Sequence, residues 1–411
     1  MDIKGRTPIS EKDFKEHFSL AEGFGDSEEI IEEDKIFDFD VVIEPTHRDV
    51  NFKNCHFKKN VCFEKGVKIV KVSNKDSETD LFEETNQITN IFDVNVTFEN
   101  NCEFDSELNL ENINFRGKFR IHDCFLNELN FKNTTFDNLA DFWKTKFKKP
   151  VIFYKTDFNS TVVFSMAKFS KNVLFTYSLL GGKAIFARTK FKKGFDVSQA
   201  VISGDLQLFN LKFVLHKYKN IYKGDDDEIF QNCIDTDAVI PLVNKVHTFQ
   251  ILKKAFIDNG NYSDSILMQR EEKKALRELT KERIKDRNTK DVNLGDKYIL
   301  WLNRWSNNYQ SDFRNGILFT IIVTLLFGSA TLIFTESFHN NFHFCSCEFN
   351  EQVFIKGIKF FVNFFNPTRS LDYLNSLNPI YFGIAYLFDF LGRIAVSYGI
   401  YQTVQAFRKF K

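Results

Sequence analysis

From Phe131 the large apolar residues fall at Phe136, Phe142, Phe147, Phe153, Phe158, Phe164, Phe169 and Phe175, so steps of five and six alternate and the period is 11. The phase runs on through Leu180, Phe186, Phe191, Val197, Ile202, Leu208 and Phe213. An α-helix cannot use this spacing, because it would scatter the side chains around an axis with 3.6 residues per turn. A solenoid can. If every five or six residues make a short strand and a turn, four faces close a coil of 22 residues, two periods of 11, and positions 22 apart stack coil on coil. Phe131, Phe153, Phe175 and Val197 then form one inward ladder, and Phe147, Phe169, Phe191 and Phe213 another. The usage of 50 Phe against 12 Tyr, 3 Trp and 6 Pro follows from such ladders. Less regular spacing at Phe52, Phe57, Phe63, Phe92, Phe98, Phe104 and Phe115 extends the pattern upstream. It lapses around 65–90, which predicts an inserted loop there.

Two positions before one set of these residues stand small side chains: Thr145, Thr156, Ala167, Ser178, Thr189 and Ala200. A small residue two positions before a central Phe or Leu resembles the pentapeptide-repeat family, over roughly 50–213. The resemblance implies a β-solenoid of the right-handed quadrilateral parallel β-helix kind. From 131 to 213 there are 14 Lys plus Arg and 5 Asp plus Glu. That surplus excludes, for this segment, the acidic mimicry of duplex DNA known in part of the family. A basic face suits anionic lipid headgroups, nucleic acid or an acidic protein, or is simply a solvated surface that keeps the rod soluble. One candidate partner lies in the chain itself, because 22–44 carries many acids and a single base, Lys35.

Beyond the repeats the periodicity becomes helical. Val246, Phe249, Leu252, Ala255 and Phe256 share one helical face, Asp258, Asn259, Gly260 and Asn261 break it, and a second helix is expected over 263–285. The stretch FQILKKAFIDNGNYSDS is similar to one tetratricopeptide-like unit. A lone unit suits a cap for the solenoid or an oligomerisation element.

Residues 316–334 form a run of 19 without a charge, long enough for a hydrocarbon core of about 30 Å. Just before it, Trp301, Trp305 and Tyr309, with Arg304 and Arg314, have the composition of an interfacial anchor. A second span is expected at 380–401 although it holds Asp389 and Arg393. Each charge costs about 2.5–3.5 kcal/mol at a span centre. Four residues apart, with the acid first, the two can pair on one helix face. Such a pair reads either as a pore, gate or subunit contact or as a structural bridge. Between the spans, 351–365 is amphipathic, suited to the outer surface or to re-entry. Positive residues before the first span and after the second place both termini in the cytoplasm, at a bacterial inner membrane.

The expected layout is therefore an acidic N-terminal arm (1–45), a β-solenoid (46–215), a helical connector (216–290) and a membrane domain (291–411). The last comprises an interfacial helix (296–312), a span (316–334), an amphipathic or re-entrant helix (351–365) and a second span (380–401). The architecture resembles two-helix channel subunits, which implies a homo-oligomer if there is a pore, but no TVGYG-like filter is present. A non-conducting scaffold is the alternative. No phosphate loop, GxSxG or HExxH occurs and the 8 His residues form no ligand cluster, so neither an enzyme nor a cofactor is expected. The repeat cysteines Cys55, Cys62, Cys102 and Cys124 suit small reduced core positions. Cys345 and Cys347 leave a disulfide or metal role open.

Overall fold

The structure is a computed structural model that describes residues 5–20, 29–64, 66–73, 82–89, 91–213, 221–222, 238–285, 294–334, 351–371 and 379–407. Cys345 and Cys347, the start of the connector and the C-terminal Arg408, Lys409 and Lys411 lie outside the described residues. Two compact units divide the chain, 1–260 and 261–411.

The first unit is a parallel β-solenoid of about seven turns. Along one face, Ala140 aligns with Val162, Val162 with Ala184 and Ala184 with Leu206, a strict 22-residue register. In-register parallel coils lie about 4.8 Å apart, so equivalent rings stack by simple translation. Ring centroids are 4.8 Å apart for Phe131 and Phe153, 4.4 Å for Phe153 and Phe175, 4.5 Å for Phe147 and Phe169, and 5.2 Å for Phe169 and Phe191. Phe136 stacks on Phe158, and Phe142 on Phe164, which stacks on Phe186. Neighbouring ladders meet edge to face, as Phe131 and Phe142 do. Phe213 continues the backbone register.

The small side chains occupy the corners between faces. Cys55, Cys102, Cys124, Thr145, Ala167 and Thr189 form one column, all buried. Each polar member donates to a carbonyl of the coil before: Cys102 Sγ to Phe52 at 3.3 Å, Cys124 Sγ to Phe98 at 3.4 Å and Thr189 Oγ1 to Phe164 at 2.8 Å. In a second column Thr156 Oγ1 donates to Phe131 at 2.8 Å. A buried hydroxyl or thiol thus keeps a partner. All four repeat cysteines are free thiols, and burial is the main cause that pushes the Cys102 thiol well up.

Each corner is a tight turn whose third residue has positive φ. Lys144 (58°), Lys155 (48°), Met166 (60°), Tyr177 (52°) and Arg188 (57°) recur every 11 residues. Side chains there cost about 1–2 kcal/mol relative to glycine, so the stacked core holds these corners in place.

Two departures from the 22-residue register occur upstream. Val50 aligns with Val96, 46 residues on, because an antiparallel hairpin of Gly66–Ser73 and Phe82–Thr89 is inserted between them. The strand pairing also starts before position 46: Glu29–Glu33 pairs with Asp49–Lys53, and Val41–Ile43 with Val61–Phe63. Much of the acidic stretch therefore belongs to the first coil.

Both solenoid ends are covered by helices. At the front, helix α1 (Glu11–Leu20) buries Phe14, whose ring meets Phe37 at 5.5 Å. At the rear, helix α2 (Leu242–Asp258) buries the expected face of Val246, Phe249, Leu252, Ala255 and Phe256. Its polar side chains take up groups of the last coils. Thr248 Oγ1 accepts from Val197 N at 3.1 Å and donates to Asp196 at 3.0 Å, and Asn259 Nδ2 donates to the Leu206 carbonyl at 2.7 Å. Covered ends leave no strand edge free for another chain.

The second unit contains helices α3 (Tyr262–Lys285), α4 (Leu294–Asn307), α5 (Phe313–Ile333), α6 (Glu351–Phe364) and α7 (Pro379–Phe407). Helices α5 and α7 are long and apolar enough to cross a membrane. They run antiparallel, since Phe313 meets Phe407 at one end and Phe334 meets Phe388 at the other. Gly399 allows the approach: a Cβ there would lie 2.5 Å from Thr320 Oγ1.

Candidate functional site

Asp389 is 1% exposed, on the face of α7 turned into the helical unit. The Phe334–Phe388 contact sets it beside the last turn of α5, nearer one end of the span pair than the mid-span position expected from sequence. Its spacing partner Arg393 donates from Nε to Oδ2 at 2.7 Å. A third residue completes the cluster. Arg369, from the segment after α6, donates to Asp389 Oδ1 from Nε at 3.0 Å and from Nη2 at 2.5 Å.

The two guanidiniums do more than neutralise a carboxylate. Arg369 Nη1 donates to the Phe364 carbonyl at 2.8 Å, and its guanidinium carbon lies 3.6 Å from the Phe364 ring centroid. Arg393 Nη2 donates to the Arg369 carbonyl at 2.8 Å, and Nη1 to that of Pro367 at 3.3 Å. Phe364 is fully buried, and a Cβ on Gly392 would lie 2.8 Å from its ring. The cluster therefore fastens the end of α6 and the segment behind it onto α7. Arg369 was invisible to spacing arguments, because it sits in an irregular segment 20 residues before its partner; the cue is an arginine just beyond an amphipathic helix, facing a span that contains an acid.

A second polar group lies at the other end of the spans. Asn307, fully buried, bonds through Nδ2 to Gln402 Oε1, while the Tyr398 hydroxyl donates to Asn303 Oδ1 at 3.0 Å. Helix α4 is thereby joined to α7. Of the three anchors expected at the headgroups, Trp301 and Trp305 are 50% and 47% exposed, whereas Tyr309 is 3% exposed. Tyr309 follows α4 in a turn where Asn308, Tyr309 and Gln310 all have positive φ. Burial raises its hydroxyl pKa, and the nearby Arg277 and Arg304 oppose that shift.

On the solenoid the notable exterior feature is a lysine ladder. Lys146, Lys168, Lys190 and Lys212 are in direct register on successive coils. Lysines on adjacent coils lie about 4.8 Å apart at the backbone, and the Lys168 pKa is lowered, first by Lys192, then by partial desolvation, with Lys146 and Lys190 adding to it. Like charges in register oppose folding. Among the described residues no group of three or more His, Cys, Asp or Glu is placed to hold a metal ion. Comparison with family models, with curated proteins and with solved structures gives no match.

Proposed function

We propose that this chain is a membrane-anchored protein of the pentapeptide-repeat kind that acts as a non-conducting interaction scaffold. Its helices hold it in a bacterial inner membrane with both termini in the cytoplasm, and its basic solenoid face receives an acidic protein partner. The observation that carries the non-conducting reading is the enclosure of Asp389 between Arg369 and Arg393 at 1% exposure. A charge that serves conduction or proton transfer faces a water-filled path, whereas this one faces two side chains and fastens α6 to α7. The lysine ladder supports the binding face, because an acidic partner would relieve its internal repulsion.

A second reading, an oligomeric sensor or channel-like protein, draws on the same cluster: displacement of α6 would be transmitted through Arg369 to α7. Purified protein in liposomes separates the two. The scaffold reading expects no ion flux above protein-free vesicles, with or without added acidic polymer. A flux abolished by Asp389→Asn with Arg393→Gln would establish the second reading instead.

A further inference from the structure

The helical unit contains a cavity of about 330 Å³ lined by Arg277, Trp301, Arg304, Trp305, Leu318 and Ile322. We propose that it binds the phosphate of an anionic phospholipid, an inference that rests on the membrane-anchored reading and goes beyond it. Three features point to this ligand.

The first is unspent positive charge. Among the described residues neither Arg277 nor Arg304 has a carboxylate partner, although both border one cavity and lie near the buried Tyr309 hydroxyl. Two guanidiniums brought together without an anion repel each other, and phosphate is the anion whose oxygens match their planar fork. The second is the indole pair. Trp301 and Trp305 stack with centroids 5.8 Å apart, and Trp305 packs edge-on to Phe319 at 5.2 Å. They form a rigid wall of the kind that sits at headgroup depth. The third distinguishes a lipid from a soluble phosphate. The wall opposite the arginines is the start of α5, where Leu318 and Ile322 are 55% and 37% exposed, and the same stripe runs on through Leu325 and Leu326, 49% and 60% exposed. An acyl chain can follow that stripe away from the guanidiniums; inorganic phosphate has no use for it.

The test uses the full chain carrying Trp143→Phe, which leaves both remaining tryptophans in the cavity. It is reconstituted into vesicles containing a small fraction of acyl-brominated phosphatidylglycerol or acyl-brominated phosphatidylcholine, and fluorescence quenching is compared. The proposal predicts a preference for the anionic lipid of roughly 25-fold, about fivefold per guanidinium. Arg277→Gln with Arg304→Gln should bring the ratio to about one, whereas Arg314→Gln, outside the cavity, should leave it. Arg304→Gln alone, at an exposed position, tests the same claim should the double variant not fold. Equal quenching by the two lipids in a chain that floats with vesicles overturns the site alone. Failure to float with either composition overturns the anchoring as well. Loss of quenching on adding inorganic phosphate overturns the lipid in favour of a soluble anion.

Discussion

The two units of this chain are built with opposite polarity. In the solenoid, Phe rings are inside and lysines outside; in the helical unit, Leu326 and Ile380 are 60% and 72% exposed while Asn307, Asp389 and Gln402 are 0%, 1% and 6% exposed. The solenoid core is driven by removing apolar surface from water, at about 1.5–3 kcal/mol per fully buried Phe. That force does not act between helices whose surroundings are as apolar as their own side chains. There, close glycine contacts and polar clusters take over. The same residue types thus have reversed meanings: an inward charge would destroy the first unit and organises the second.

Substituting an inward residue in each unit breaks this contrast most sharply. Phe164→Asp places a carboxylate among Phe142, Phe153, Phe175 and Phe186 and should cost more than about 4 kcal/mol, enough to lose the cooperative urea transition. In the helical unit the damaging change is the removal of a charge. Asp389→Asn strands two guanidiniums and should lower stability in detergent by about 3–5 kcal/mol, whereas replacing all three cluster residues with Met, Leu and Met should restore much of it. A triple variant no better than Asp389→Asn would mean that the cluster is not a self-contained unit.

Smaller effects sharpen the account of the solenoid. Met166, 41% exposed at φ 60°, is held in a backbone conformation suited to Asn or Gly. Met166→Asn should raise the thermal midpoint, by about 0.5–1 kcal/mol of stability. At the lysine ladder, Lys168→Gln should stabilise by about 0.2–1 kcal/mol at low salt, with the gain shrinking as salt is added. The pH dependence follows the same sign. Because the folded pKa of Lys168 lies below the ordinary 10.5, the unfolded chain holds that proton more tightly, and stability should rise as pH climbs toward 10.5.

How much of this was legible depended on local regularity. From Phe131 onward one period dictated every inward residue, since each coil repeats its neighbour at a fixed spacing. Upstream, the hairpin at 66–89 shifted the phase, and the cysteine positions of the small-residue column concealed that column until Cys55, Cys102 and Cys124 were seen aligned with Thr145. In the membrane unit, spacing along one helix revealed the possible pairing of Asp389 with Arg393 but not Arg369, because that contact depends on where the chain turns back after α6. The cavity at Arg277 draws on α3, α4 and α5 and has no linear signature.

The central claim, one water-stable unit joined to one lipid-stable unit, is tested most directly by alkaline carbonate extraction of membranes that carry the full chain, beside the same chain ended at Gly260. The account predicts that the full chain stays with the membrane, while the shorter chain is soluble and keeps a β-rich circular dichroism spectrum with a cooperative melt. Release of the full chain by carbonate, or an insoluble or unfolded 1–260 piece, would contradict it.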